Sequence, residues 1–126
     1  MSIEIFAEID SWKEARILVK EIYKLTSHGK IEKDFGFKDQ LQRASVSIMS
    51  NIAEGFDSGS KKSFISFLNY AYRSASEVHS LLYIALDIDY ISKEQFNELM
   101  QRIELIKKLI GGFIKYLKRS DYKPPY

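Results

Sequence analysis

A chain of 126 residues fits one domain, and its lack of cysteine excludes disulfides, thiolate metal sites and thiol nucleophiles, which suits a reducing compartment. With 45% hydrophobic and 29% charged residues the composition is that of a globular protein, and the longest apolar run, Leu81 to Leu86, is far short of the ~20 residues a membrane span needs. Net charge is only +2 but uneven: residues 101–126 hold seven Lys/Arg against two Asp/Glu, whereas residues 1–100 hold twelve against fifteen.

At the start of the chain, Glu4, Glu8 and Asp10 stand where a secretory leader would carry lysines, so a cytoplasmic protein with no membrane partner is expected. Both prolines, Pro124 and Pro125, lie at the far end, and nothing before them forbids a helix. A first helix is expected over about 10–28. Asp10 or Ser11 would cap it, Ser11 and Glu14 have capping-box spacing, and Trp12, Ala15, Val19, Ile22, Tyr23 and Thr26 recur at helical intervals. Residues 29–36, polar and bounded by glycines, read as a loop.

A second helix is expected over about 38–54, with Gly55 as its stop. Leu41, Ala44, Ile48 and Ile52 fall within an arc of about 80°, and Val46, Met49 and Ala53 form a smaller apolar group on the opposite side. After a capped turn at residues 57–60, a third helix runs over about 61–87. Its Phe64, Phe67, Leu68, Ala71, Tyr72, Ala75, Val78, Leu82, Ala85 and Leu86 cover more than half the circumference, leaving Ser66, Asn69, Arg73, Ser76 and Ser80 on a narrow polar side. Ser92 and Gln95 form a capping box that opens a fourth helix, about 92–118, whose apolar positions continue to Leu117. Gly111 and Gly112 lie inside it, each costing about 1 kcal/mol relative to alanine, so close packing or a bend is expected there. Four long helices with short connections predict an all-α, antiparallel up-down-up-down four-helix bundle as a single domain over 1–126.

The second helix also carries a polar seam. Gln40, Arg43, Ser47, Asn51 and Glu54 share an arc of about 80° beside its apolar face. Ser and Asn in mid-helix are mediocre helix formers that a merely solvated face would not favour. Besides a solvated helix flank, the seam suits hydrogen bonds to a neighbouring helix or subunit or the lining of a pore; its residues read as structural, with Arg43 able to pair Glu54 or Glu77.

These residues carry a resemblance. The stretches Asp39-Gln40-Leu41-Gln42-Arg43-Ala44, Ser47-Ile48 and Asn51-Ile52-Ala53-Glu54-Gly55-Phe56, with Phe64, Phe67-Leu68, Ala71 and Glu77, resemble the bacterial four-helix-bundle family first noted as reading frames inside intervening sequences of large-subunit ribosomal RNA genes. Trp12, Ala15, Ile22-Tyr23 and Thr26 match its first helix, so the resemblance spans about residues 10–118. It implies a ring-shaped homopentamer. The chain is similar, too, to the accessory protein of diversity-generating retroelements, which implies a basic surface that binds nucleic acid and a reverse transcriptase. Arg73 and Asp57 depart from the family pattern, and Asp57 speaks against phosphate binding at the turn between the second and third helices. An oligomer is also expected from the residues themselves, because the second and third helices show more apolar surface than one small bundle covers.

On the fourth helix Lys108, Lys115 and Arg119 lie within an arc of about 40°, with Lys123 beyond and Tyr116, Tyr122 and Tyr126 interleaved. Cations in this pattern contact phosphates, and tyrosines stack on unpaired bases. The same residues also suit a solvated helix end that complements the dipole. No metal-ligand, Walker or serine-nucleophile pattern emerges, so no catalytic residue, cofactor or metal is expected. Arg73 and His79 have the spacing of small all-helical HEPN ribonucleases, which gives an enzymatic alternative; a protein-only scaffold is another. The reading favoured by the sequence is a non-enzymatic homo-oligomeric adaptor, its partners being itself and RNA or a nucleoprotein.

Overall fold

With no proline before residue 124, four segments are free to run as long helices, and the structure, a computed structural model that describes residues 3–124, is all-helical with no strand among the described residues. After one 3-10 turn at Phe6–Glu8 come α1 (Asp10–Leu25), α2 (Gly29–Lys33), α3 (Phe35–Phe56), α4 (Lys61–Asp87) and α5 (Lys93–Arg119). Among the described residues no helix is long and apolar enough to cross a membrane. Tyr126, counted above among the stacking rings, lies outside the described residues.

α3 packs on both α1 and α4, and α5 on both α4 and α1, so the four long helices close around one core. That core contains the expected faces: Leu41, Ala44, Ile48 and Ile52 of α3, Phe64, Leu68, Ala71, Ala75 and Val78 of α4, and Ile103, Ile106, Ile110 and Leu117 of α5. Where α1 meets α5, Arg102 Nη1 donates to Glu14 Oε1 at 2.7 Å. Its Nε lies 2.6 Å from Glu21 Oε1 as an ion contact, without hydrogen-bond alignment. All three side chains are partly shielded from water, where such a bridge is screened less than an exposed one.

The N-terminal boundary of α1 differs from expectation. Neither Asp10 nor Ser11 caps it; the cap position is Ile9, which is buried, and Ser11 is buried with no hydrogen-bond partner for its Oγ among the described residues. The apolar anchor at Ile9 sets the entry of the chain in place of a side-chain cap. Glu8 instead accepts from the backbone N–H groups of Glu4 and Ile5, which hold its carboxyl below the usual range. Leu18 is fully buried, whereas Tyr23, expected in the core, is 47% exposed, because the buried stripe runs Ala15, Leu18, Ile22. α1 ends at Leu25, before the expected residue 28. There Thr26 Oγ1 donates to the Ile22 carbonyl at 2.8 Å and accepts from Gln42 Nε2 at 2.9 Å.

The expected loop over 29–36 contains α2 and the start of α3. Gly29 supplies the left-handed φ of 74° that begins the turn, and Ile31, 1% exposed, pins α2 to the core. Asp34 caps α3 by accepting from Phe37 N at 3.2 Å, which moves the helix start from 38 back to 35. Gly55 does not stop α3 but lies buried within it, against Phe64 and Phe67. The Ser60 cap of α4 and the Ser92–Gln95 capping box of α5 are as expected. α5 runs unbroken through Gly111 and Gly112, and an added Cβ at either would meet nothing within 4 Å among the described residues, which do not supply the expected close packing.

Candidate nucleic-acid interface

Helical spacing sets out the basic residues of α5. Lys108, Lys115 and Arg119 are all exposed and follow one another up a single stripe, with Gly112 one turn beyond Lys108 and three residues before Lys115. The stripe covers about 16 Å at the rise of an α-helix. Lys123 is exposed past the helix end.

Beside this stripe lie two shallow hollows. One, of about 490 Å³, lies between α4 and α5 and is lined by Tyr72, His79, Glu104, Lys107, Lys108, Gly111, Gly112 and Lys115. The other, about 390 Å³, continues along α5 past Gly112, Lys115, Tyr116, Arg119 and Ser120. Gly112 is shared by both. Lys107 Nζ sits 5.1 Å from the centre of the Tyr72 ring, and His79 stacks on Tyr83 with centroids 5.6 Å apart and planes 14° from parallel. Tyr72, Tyr83 and Tyr116 are all exposed aromatic surface. The arrangement can present several cations to phosphates and flat rings to a planar group.

Tyr122 does not join this surface. It packs on Phe64 at 5.8 Å with its hydroxyl buried and without a hydrogen-bond partner among the described residues, and burial pushes that hydroxyl above the usual phenol range. Its ring closes the lower core around Phe64 and Phe113, which is why it is unavailable for stacking. Tyr72 and His79 belong to α4, so periodicity on α5 alone does not bring them to the stripe, and Lys107 lies on α5 outside the arc of Lys108, Lys115 and Arg119. The glycine pair was the available signal, lying within one turn of Lys108 and Lys115.

The α3 seam is brought together in part. Ser47 Oγ and Ser74 Oγ share a hydrogen bond of 2.8 Å across α3 and α4, and Asn51 Nδ2 donates to the Ser47 carbonyl and hydroxyl at 2.8 and 3.0 Å. Gln40 Nε2 donates weakly to Glu77 Oε2 at 3.4 Å. Arg43 pairs with neither Glu54 nor Glu77 but with Asp39 at 2.8 Å, one turn back on its own helix, where both side chains are mostly exposed and the pair is worth little. Glu54 is exposed. The second apolar group of α3 is partly covered within the chain: Val46, Met49 and Ala53 are half-buried, and Met49 packs on the core.

Arg73 and His79 are in separate surroundings. Six residues apart, they point about 120° from one another around α4, Arg73 over the Tyr70 ring at 5.6 Å and His79 toward α5. Among the described residues no group of three or more His, Asp or Glu side chains is placed to hold a metal ion.

A family model described as 23S rRNA-intervening sequence protein matches residues 7–112 of the chain. In fold the chain is similar to a protein of unknown function from the S23 ribosomal protein family of Bacteroides thetaiotaomicron. The two are 26% identical, the match covers 84% of this chain and 96% of that one, and the TM-score is 0.78. Among curated proteins, none matches.

Proposed function

This chain belongs to the 23S rRNA-intervening sequence protein family, and from that premise we propose that it is a non-enzymatic adaptor, an antiparallel four-helix bundle assembled as a homopentameric ring in the cytoplasm, that binds RNA or a nucleoprotein through α5. The observation that carries the reading is the exposed stripe of Lys108, Lys115 and Arg119, bordered by Lys107 and continued toward Lys123. Cations arrayed in this way bind a phosphate backbone by releasing its counterions, which gives affinity with little sequence preference. Repetition around a ring multiplies a modest contact into avidity. The polar seam of Gln40, Ser47, Asn51 and Glu77 is then part of the scaffold that fixes α3 on α4, and Arg43 and Glu54, exposed beside it, are available to a neighbouring copy.

The test is RNA binding measured as a function of salt. Three contacted phosphates per chain predict a log–log slope near −2 to −3 per protomer engaged. Replacing Lys108, Lys115 and Arg119 together by glutamate is expected to abolish binding while leaving the helical circular dichroism unchanged, since all three side chains are exposed. Affinity that ignores salt, or a triple variant that binds as the wild type does, overturns the reading.

A further inference from the structure

We infer that the hollow between α4 and α5 takes a single-stranded polynucleotide rather than a duplex, its backbone lying over Gly112 and an unpaired base meeting the Tyr72 and His79 side; this rests on the RNA-binding reading above. Three observations converge there. The hollow is open to solvent and about 490 Å³ in volume. Its floor is the backbone of α5, because Gly111 and Gly112 carry no side chain and no other described residue lies where one would. Its border holds Lys107, Lys108 and Lys115, with Glu104 as the one carboxylate among its lining residues.

The glycines need an explanation that the chain itself does not supply. Two mid-helix glycines lower helix stability, and here they neither cap the helix nor admit a neighbouring helix. What they do is lower the surface between Lys108 and Lys115, so that a chain lying on α5 can reach both cations without riding over a side chain. Packed helices stand about 8–10 Å apart axis to axis, so their surfaces touch and the hollow is an open surface groove, which a single strand can follow while a double helix meets its rim. A duplex also hides its base faces, whereas a single strand can turn a base onto exposed rings, and Tyr72 is an exposed ring fixed by Lys107 above it. Self-association through this hollow is disfavoured when like faces meet, because three cations would confront three cations.

The experiment uses the intact protein, a labelled oligouridylate, a labelled RNA duplex of the same length, and the Gly112→Leu variant. Leucine is a good helix former and its Cβ meets no atom of the described residues, so the variant is expected to fold and to melt at or above the wild-type temperature. Oligouridylate affinity is expected to fall about tenfold, equivalent to one stacked base, with duplex affinity weaker from the outset and unchanged. Tyr72→Leu should lose a similar factor and Tyr72→Phe should keep it. Wild-type affinity for oligouridylate in Gly112→Leu, or a wild-type preference for duplex, overturns the inference while the cationic stripe stands. A variant altered in oligomer mass instead of affinity overturns it in favour of a contact between copies. Wild-type oligouridylate affinity in the Lys108, Lys115, Arg119 glutamate variant removes the RNA reading itself, and this inference with it.

Discussion

A methyl group added at Gly55 would lie 2.8 Å from Phe67 Cβ, 3.0 Å from the Phe64 ring and 3.3 Å from the Phe64 carbonyl. The first and last of these belong to the backbone of α4 or its first side-chain atom, so relief requires α3 and α4 to separate. At Gly111 the same methyl meets nothing. One substitution therefore has opposite signs at two helical glycines. Gly55→Ala gains helix propensity but overpacks, for a net loss of about 1–2 kcal/mol; Gly111→Ala gains about 1 kcal/mol. Denaturant titrations at equal protomer concentration measure both, and shifts of the same sign would contradict the packing described here. Gly55 also shows what a lone sequence conceals. Before a turn-like Asp57-Ser58-Gly59, a glycine reads as a helix stop, and only the neighbouring helix reveals that it is there for close approach.

At the scale of elements, the junctions depend on contacts that no local pattern encodes. Tyr90, in the connection between α4 and α5, donates its hydroxyl to Asp34 Oδ2 at 2.6 Å, joining that connection to the cap of α3 across 56 positions of sequence. Its ring meets Phe37 edge-on at 5.6 Å. The long helices were legible because apolar residues recur with their period: α4 has the expected bounds, and α5 is displaced by one residue at each end. The start of α3 was not, since its cap, Asp34, is held by Tyr90, a residue distant in sequence that only the packing of α4 on α3 brings near. That hydrogen bond first, and the Phe37 N–H second, hold the Asp34 carboxyl below its ordinary 3.8. The same bond, with desolvation, raises the Tyr90 phenol above its ordinary 10.0.

The pH dependence of this lock follows with opposite signs at its two ends. Asp34, depressed in the fold, contributes stability that is present above pH 3.8 and is lost as pH falls through its lowered folded value. Tyr90, raised in the fold, contributes stability that is present below pH 10.0 and is lost as pH climbs through its raised folded value. Tyr90→Phe keeps the ring and removes the bond. The stability difference between wild type and Tyr90→Phe is expected to be flat through neutrality and to shrink toward both extremes. Unfolding titrations across pH measure it, and a difference that widens in acid would show that Asp34 is not held by this hydroxyl.

For the whole molecule, the apolar surface left outside the core decides whether one chain is the functional unit. Periodicity identified the core faces of α3, α4 and α5, and burial agrees; it overstated how much of α3 needs covering, because Val46, Met49 and Ala53 are already half-buried in the single chain. Apolar side chains stay open on every long helix, Tyr23 and Phe35 among them, but one group aligns along α4. Tyr70, Ile84 and, just past its end, Ile88 are 50%, 44% and 46% exposed, and helical spacing puts them on one stripe with Arg73 and Glu77, next to the α3 seam. The basic stripe is on α5, so the apolar face and the cationic face are distinct, and a copy docking on the former leaves the latter free. A closed ring buries such a stripe in every copy, whereas an open chain of copies would leave one exposed at each end. Light scattering is therefore expected to return about five times the 14.7 kDa of one chain, the ring size implied by the family resemblance. Ile84→Glu, a charge set into that stripe, should reduce the mass toward one chain while the fold persists, since Ile84 is outside the core. The lone chain should then bind RNA far more weakly than the ring although every cation of α5 is intact, because avidity is lost and not contact. A wild type that scatters as 14.7 kDa, or an Ile84→Glu variant that keeps the full mass, would show that this stripe does not join copies.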